Sequence, residues 1–304
     1  MIRMRTILIA TSAGAIAFGG VACSHRTTAE DGRPHVTAAF YPLAEAAQRV
    51  GGDRVDVTNL TAPGAEPHDL ELTPEQLASI ESATVVLYLG GGFQPAVEDA
   101  VHQASGITVD ASAGLRSLPP PPGQSGDGLA ADPHVWLDPV RYEQIVRETE
   151  QALEKADPAD ASSFRTRAAA FLSELSSLDA EYRRGLSSCQ RHLMVTSHAA
   201  FGYLAQRYGL QQDAIAGLSP DVEPDPRRLA QLKDIVEANG VTTIFTEELL
   251  SPKVAQTLAQ ETGATTAVLD PLESLTPQEV ASGADYGSLM RRNLQMLRIA
   301  LGCA

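Results

Sequence analysis

The sequence predicts an α/β protein of two lobes, each a parallel-sheet α/β domain, joined by one long α-helix. In both halves of the chain, short apolar and β-branched runs alternate with segments of helical periodicity. Such alternation is typical of a parallel sheet covered by helices on both faces. A long helical stretch without internal proline separates the halves, and 304 residues are enough for one large or two ordinary domains.

In the first half, four apolar runs predict strands, and a helical segment follows each of the first three. The predicted strands are 36–40, 55–60, 84–89 and 107–110. The predicted helices are 41–50, 73–82, 93–103 and one from Asp138-Pro139 to about Ala156. Thr73 is a suitable N-cap with Pro74 at the first helical position. A proline-rich segment, 119–131, is typical of a surface loop.

The segment 159–187 is the longest predicted helix. Its apolar residues recur mostly every three or four positions, and a helix of this length would extend about 43 Å. That length suits a rod between two lobes, although a pair of shorter helices is an alternative. The alternation then resumes, with predicted strands at 193–196, 213–216, 241–245 and 265–269 and helices at 199–208, 225–239, 252–262 and 286–301.

These segments predict a division of the chain into an export signal, a tether, two lobes and a linking helix. The boundaries are 1–22 for the signal peptide, 23–34 for the tether, 35–157 for the N-terminal lobe, 158–188 for the linking helix and 189–304 for the C-terminal lobe.

The N-terminus predicts export. Arg3 and Arg5 precede an uncharged stretch, 7–22, which is short for a spanning helix and typical of a cleaved signal. An uncleaved anchor is the alternative. Cys23 follows Gly20-Val21-Ala22, which resembles the lipobox of bacterial lipoproteins and implies a lipid anchor on Cys23. We therefore expect an extracytoplasmic protein anchored to the cell membrane, or a secreted or periplasmic one if Cys23 is not lipidated.

Composition excludes some partners and predicts a crosslink. A net charge of −15 argues against nucleic acid, which needs a basic surface, and 43% hydrophobic residues argue against disorder. Cys189 and Cys303 are an even pair in an oxidising compartment, which favours a disulfide over two buried thiols.

Three histidines and an aspartate lie where the chain leaves apolar runs. These are His68, His134, His198 and Asp270. Ligand sites in open α/β sheets form beyond the carboxyl ends of strands, so the four residues are expected to converge. Imidazole and carboxylate together suit a divalent ion such as Zn²⁺. Taken singly, each residue has an ordinary structural explanation as a hydrogen-bonding His or a turn Asp.

Four segments together resemble one protein family. They are PGAEPHDLELTPEQLASIESATVVLYLGGGFQP, DPHVWLDP, VTSHAAFGYLAQRYGL and IFTEELLSPKVAQTLAQETGATTAVLDPL. They resemble, in order and over about residues 35–300, the zinc/manganese ABC-transporter solute-binding lipoproteins, the cluster A-I or cluster 9 metal-binding proteins. The resemblance implies a metal site in the cleft between the lobes, with His68, His134, His198 and Asp270 as ligands.

The resemblance also implies the metal. Family members with His at the position of His198 resemble zinc binders, which favours Zn²⁺ as the transported ligand, with Mn²⁺ as an alternative. The histidine-rich loop of many zinc members has no counterpart, because segment 119–131 contains no histidine. Glu247 is the candidate for a residue that orients a ligand by hydrogen bonding to it. The alternative is that Glu247 is a solvated carboxylate at the start of a helix. Trp136 either shields the site from water or packs in the core.

The implied function is binding without catalysis. Such a protein captures Zn²⁺ outside the cell membrane and delivers it to the ABC permease of a metal importer, as a monomer, with a metallochaperone as a further conceivable partner. Two alternatives stay open. A zinc-dependent hydrolase would need an open coordination position for water. A surface adhesin would use the metal for stability alone.

Overall fold

The computed structural model describes residues 32–121, 129–220 and 225–304, which form two parallel four-stranded sheets with helices around them. This confirms the predicted α/β class. The predicted signal peptide, Cys23 and most of the tether lie outside the described residues, as does 122–128 of the proline-rich loop. In the part of the chain that is described, no helix is both long and apolar enough to cross a membrane.

The first sheet is built from the N-terminal third of the chain. Its strands are β1 (His35–Ala38), β2 (Asp56–Asn59), β3 (Val85–Tyr88) and β4 (Ile107–Asp110), in the order β2-β1-β3-β4. Val36 of β1 pairs with Val57 on one side and Val85 on the other. β3 is buried along most of its length, as expected of a central strand covered on both faces.

The following helices accompany and follow this sheet: α1 (Tyr41–Gly51), α2 (Pro74–Ser82), α3 (Pro95–Ala100), α4 (Pro139–Ala156) and α5 (Ala161–Gly185). The start of α2 is fixed by a capping box in which Thr73 and Gln76 satisfy each other's backbone N–H groups. Asp138 caps α4 by accepting from the N–H of Val140. α5 is one helix of 25 residues, so the alternative of two shorter helices is wrong.

The second sheet repeats the strand order of the first. It contains β5 (Leu193–Thr196), β6 (Gln211–Ala214), β7 (Thr243–Thr246) and β8 (Thr265–Val268), in the order β6-β5-β7-β8. Its helices are α6 (Gly202–Tyr208), α7 (Pro226–Ala238), α8 (Lys253–Thr262), α9 (Pro277–Ser282) and α10 (Tyr286–Leu301). α9 is absent from the sequence prediction.

The strand orders determine where a ligand site can form. In each sheet the second strand in the chain pairs with one edge of the first strand, and the third strand pairs with its other edge. A crevice therefore opens between β1 and β3 and between β5 and β7. Ligands in open parallel sheets bind at such points, beyond the carboxyl ends of the strands.

The largest cluster of buried apolar residues runs through both halves, and a smaller separate cluster lies between β5, β7, α7 and α8. α5 packs against α1, α4 and α10, and Phe171 of α5 belongs to the same cluster of buried residues as Val85 and Tyr286. A disulfide joins Cys189, just beyond α5, to Cys303 after α10. The residue boundaries given above for the two lobes remain predictions.

Candidate metal centre

Four loops that leave the two sheets deliver the candidate ligands. His68 lies between β2 and α2, and His134 immediately precedes a short 3-10 turn, Val135–Leu137, that leads into α4. His198 follows β5 by two residues, and Glu273 lies in the loop between β8 and α9. The two halves of the chain thus contribute two side chains each.

The three imidazoles surround one carboxylate oxygen. Oε1 of Glu273 lies 3.1 Å from Nε2 of His134, 3.3 Å from Nε2 of His198 and 3.6 Å from Nε2 of His68. The Nε2 atoms of His134 and His198 are 3.3 Å apart. One potential ligand atom from each of the four residues lies within 4.8 Å of the other three. Such a cluster has the number and type of donors found in tetrahedral zinc sites.

The cluster is buried, and two of its polar atoms are left unsatisfied. His134 and His198 are fully buried, and the side chains of His68 and Glu273 are 4% and 2% exposed. Nε2 of His68 and Oε1 of Glu273 have no hydrogen-bond partner of good geometry. Buried polar atoms almost always have a hydrogen-bond partner. Two that lack one, within a cluster of potential metal ligands, therefore fit a site for a cation.

Two further carboxylates orient the imidazoles. Oδ1 of Asp132 lies 2.8 Å from Nδ1 of His134, and Oε1 of Glu247 lies 2.8 Å from Nδ1 of His198. When a cation is bound, each contact would hold the proton on Nδ1, so that Nε2 presents its lone pair to the ion. The sequence analysis identifies Glu247 as a candidate for this role but misses Asp132. The position of Asp132, two residues before the candidate ligand His134, could have indicated it.

The carboxylates change the pKa values of the buried imidazoles. Burial alone opposes the charged form of His198, but the charges of Glu247 and Glu273 outweigh it and hold the pKa of His198 well above its usual value. His134 follows the same pattern, and its pKa is raised through Asp132 and Glu273. For His68, burial dominates and lowers the pKa. Glu273 has the reverse shift, because the imidazoles overcome its burial and hold its pKa well below the usual range.

An aromatic wall closes one side of the cluster. The ring of Phe93 meets the ring of His68 edge to face, with centroids 4.6 Å apart. The ring of Trp136 lies 5.2 Å from that of His134, and its indole N–H donates to the carbonyl of Pro271 at 2.8 Å. Trp136 is fully buried, so it packs in the core.

An acidic pocket adjoins the cluster at Glu273. It is lined by Glu273 together with Glu66, Glu247, Glu248, Asp270 and Glu279. Burial, with a smaller contribution from the charge of Glu273, raises the pKa of Glu66 to about 9. Burial also raises the pKa of Asp270 to about 7. Glu273 belongs to the lining of this pocket, and those of its carboxylates that stay ionised attract cations.

Asp270, which the sequence analysis expects as the fourth ligand, lies outside this cluster of potential ligand atoms. Its Oδ1 accepts from the N–H of Leu272 at 2.8 Å, and its Oδ2 accepts from Nη2 of Arg292 at 2.9 Å. Both oxygens are therefore engaged by protein donors. Glu273, three residues later in the same loop, occupies the position expected for Asp270.

Three comparisons with known proteins bear on this site. The family model described as zinc-uptake complex component A, periplasmic (ZnuA), matches residues 36–300. The chain belongs to this ZnuA family. It is 36% identical over 278 residues to the high-affinity zinc uptake system protein ZnuA of Bacillus subtilis, with 88% of this chain and 87% of the relative covered.

Other ZnuA-family relatives are longer. The chain is 38% identical over 289 residues to the zinc-binding lipoprotein AdcA of Streptococcus pneumoniae, covering 91% of this chain but only 58% of AdcA. The crystal structure of the Zn(II)-bound ZnuA-like domain of that AdcA superposes with a TM-score of 0.76 at 38% identity, over 89% of this chain and 99% of the domain. The similarity thus extends over most of the fold described above.

Proposed function

We propose that this protein is the extracytoplasmic solute-binding component of a metal ABC importer, which binds Zn²⁺ through His68, His134, His198 and Glu273 and delivers it to the membrane permease. The observation that carries the proposal is the convergence of three imidazole nitrogens and one carboxylate oxygen within 4.8 Å in a buried site. The names of the ZnuA-family relatives, which describe zinc binding and zinc uptake, support the choice of metal.

The charge of the site favours a divalent cation. Three carboxylates, those of Asp132, Glu247 and Glu273, are buried around the imidazoles. Buried carboxylates need compensating positive charge. A proton shared with an imidazole supplies one unit of it, and a bound Zn²⁺ supplies two. Imidazole-rich sites bind Zn²⁺ more tightly than Mn²⁺, because affinity rises along the first-row series and imidazole is a softer donor than oxygen.

The donor set supports binding rather than catalysis. Four protein donors fill a tetrahedral site, whereas catalytic zinc sites hold three protein ligands and keep the fourth position for water. We therefore propose that the protein is not an enzyme. A hydrolase would require Glu273 to leave the metal, and its hallmark would be an exchangeable water on the bound ion.

The proposed location and partners follow from the N-terminus and the family. The sequence of residues 1–23 supports export followed by lipidation on Cys23, which would hold the protein at the outer face of the cell membrane as a monomer near its permease. The polar segment after Cys23 would serve as the tether.

The test is a competitive chelator titration of the demetallated protein with Zn²⁺ and Mn²⁺ in parallel. We expect one zinc per chain with sub-micromolar affinity, and weaker binding of Mn²⁺. His198→Ala should abolish most of the zinc affinity. His192→Ala, which removes an exposed histidine outside the cluster, is the matched control and should bind like the unaltered protein.

Three results would contradict the proposal. Equal or tighter Mn²⁺ binding would refute the choice of metal. Unchanged zinc binding by His198→Ala would show that the cluster is not the binding site. Normal zinc uptake by cells that lack this protein would argue instead for the adhesin alternative.

A further inference from the structure

The segment from Asp270 to Glu279 comprises the loop after β8 and the first turn of α9, and we call it the 270–279 loop. It has an unusual conformation at its start. Leu272 has a φ of 54°, and among the described residues it is the one non-glycine with positive φ. A leucine in this region is strained by contact between its Cβ and the backbone, so it persists only where its surroundings hold it. The turn at Leu272 directly precedes Glu273, and it directs that carboxylate into the cluster.

Helix α10 holds the start of this loop. Asn293 bonds to both backbone groups of Asp270, since Oδ1 accepts from its N–H at 2.9 Å and Nδ2 donates to its carbonyl at 2.6 Å. Arg292, the preceding residue of α10, donates from Nη2 to Oδ2 of Asp270 at 2.9 Å. The Asp270 carboxylate in turn accepts from the N–H of strained Leu272.

The same arginine also reaches the far end of the loop. Nη2 of Arg292 donates to Oε1 of Glu279 at 2.5 Å, while Oε2 of Glu279 caps α9 through the N–H and hydroxyl of Thr276. One guanidinium therefore links residues 270 and 279, on either side of Glu273. We call these two contacts the Arg292 bridge.

Between its ends, the loop touches the first half of the chain. The N–H of Gly64 donates to the carbonyl of Leu275 at 2.8 Å, and the hydroxyl of Ser274 donates to the carbonyl of Ala62 at 3.2 Å. Ala62 and Gly64 belong to the loop that carries His68. Movement of the 270–279 loop would therefore displace Glu273 and disturb the His68 loop together.

We propose that Arg292 is a positioning residue for metal binding, a proposal that rests on the function proposed above. Its bridge to Asp270 and Glu279 holds the strained turn at Leu272. This turn keeps Glu273 among the three histidines. Asp270 then acts as the partner of this bridge rather than as a ligand. Opening of the bridge frees Glu273 and removes one donor from the ion, which gives the protein a route to release zinc without separating its lobes.

Arg292→Met tests this proposal in the full chain. The side chain of Arg292 is 38% exposed and methionine retains its apolar stem, so the variant is expected to fold. Removing a positive charge beside a cation site should by itself tighten zinc binding. Loss of the bridge should weaken it, by about tenfold, with faster zinc release. The two effects have opposite signs, so the direction of the change distinguishes them.

Matched variants separate positioning from general stability. Arg291→Met removes the neighbouring positive charge, whose partner is Glu181 on α5, and should leave zinc affinity unchanged. Arg292→Lys retains a charged donor and should restore part of the affinity. The visible spectrum of the Co²⁺-loaded Arg292→Met protein should show the altered coordination expected when Glu273 is displaced.

A double-mutant cycle decides whether Arg292 acts through Glu273. In a Glu273→Ala background, Arg292→Met should produce no further loss of zinc affinity. An additional loss there would overturn the proposal, as would unchanged or tighter binding by the single variant. Failure of the unaltered protein to bind zinc would refute the proposed function instead, so the two failures are distinguishable.

Discussion

Glu273 is the residue on which the donor set depends, because its Oε1 lies within 3.6 Å of all three histidine Nε2 atoms. Glu273→Gln keeps the shape but removes the anionic donor. Loss of the hydrogen-bond partner of a metal ligand lowers metal affinity by ~10- to 100-fold. Because Glu273→Gln changes a ligand itself, we expect a larger loss of zinc affinity. Glu248→Gln removes another carboxylate of the same pocket, outside the cluster, and should have little effect in the same chelator competition. Equal losses in the two variants would contradict this assignment.

Zinc binding should release protons at neutral pH. The pKa of His198 is held well above its usual value, and that of His134 is also raised, so the metal-free cluster retains a proton that zinc must displace. Affinity should therefore fall steadily as pH decreases, with competition already present near pH 7. Calorimetry in buffers of different ionisation enthalpy should detect the release of about one proton per zinc. A heat that does not depend on the buffer would count against a protonated cluster.

At the residue scale, the sequence predicts the three histidines but not the fourth donor. Position beyond strand ends and family resemblance both indicate His68, His134 and His198. Asp270 and Glu273 follow the same strand, and the choice between them depends on the turn at Leu272 and on the donors of Arg292 and Asn293. Those contacts involve residues about 20 positions away, so neither spacing nor periodicity reveals them.

Among the elements, helix α5 connects the two halves of the molecule through its buried contacts. Phe171 on its buried face contacts the ring of Tyr142 edge to face, with centroids 5.9 Å apart, and lies under the guanidinium of Arg49. Phe171→Ala should destabilise the fold by about 3–5 kcal/mol. Because the core is shared, calorimetry should show one unfolding transition at lower temperature. Ser176→Ala, on the exposed face of the same helix, is the control. Two separate transitions would contradict a shared core.

The element predictions succeed where burial creates a strong pattern. α5 and α10 show their apolar periodicity clearly, and α10 runs from Tyr286 to Leu301 as expected. β6 is at Gln211–Ala214 rather than 213–216, because this edge strand is defined by pairing with β5 and not by apolar side chains. α9 is short and gains its order from a capping box, which periodicity does not detect.

For the whole molecule, the shared core and the long helix limit how zinc can be released. α5 packs on α1 and α4 from the first half and on α10 from the second, so rotation of one lobe against the other would break buried contacts on both sides. Local opening of the 270–279 loop would break its hydrogen bonds to Arg292, Asn293 and the His68 loop, but would leave the packing of α5 in place. Release should therefore proceed by loop movement rather than by wide separation of the lobes.

Solution scattering and hydrogen exchange together test this view of release. Scattering curves of the metal-free and zinc-loaded protein should nearly superimpose, because the lobes keep their relative position. Amide exchange in 270–279 should slow markedly when zinc binds, because Glu273 then ties the loop to three histidines. Exchange in buried strands such as β3 should change little and serves as the internal control. A large change in the scattering curve, with unchanged exchange in this loop, would show that the lobes move and the loop does not.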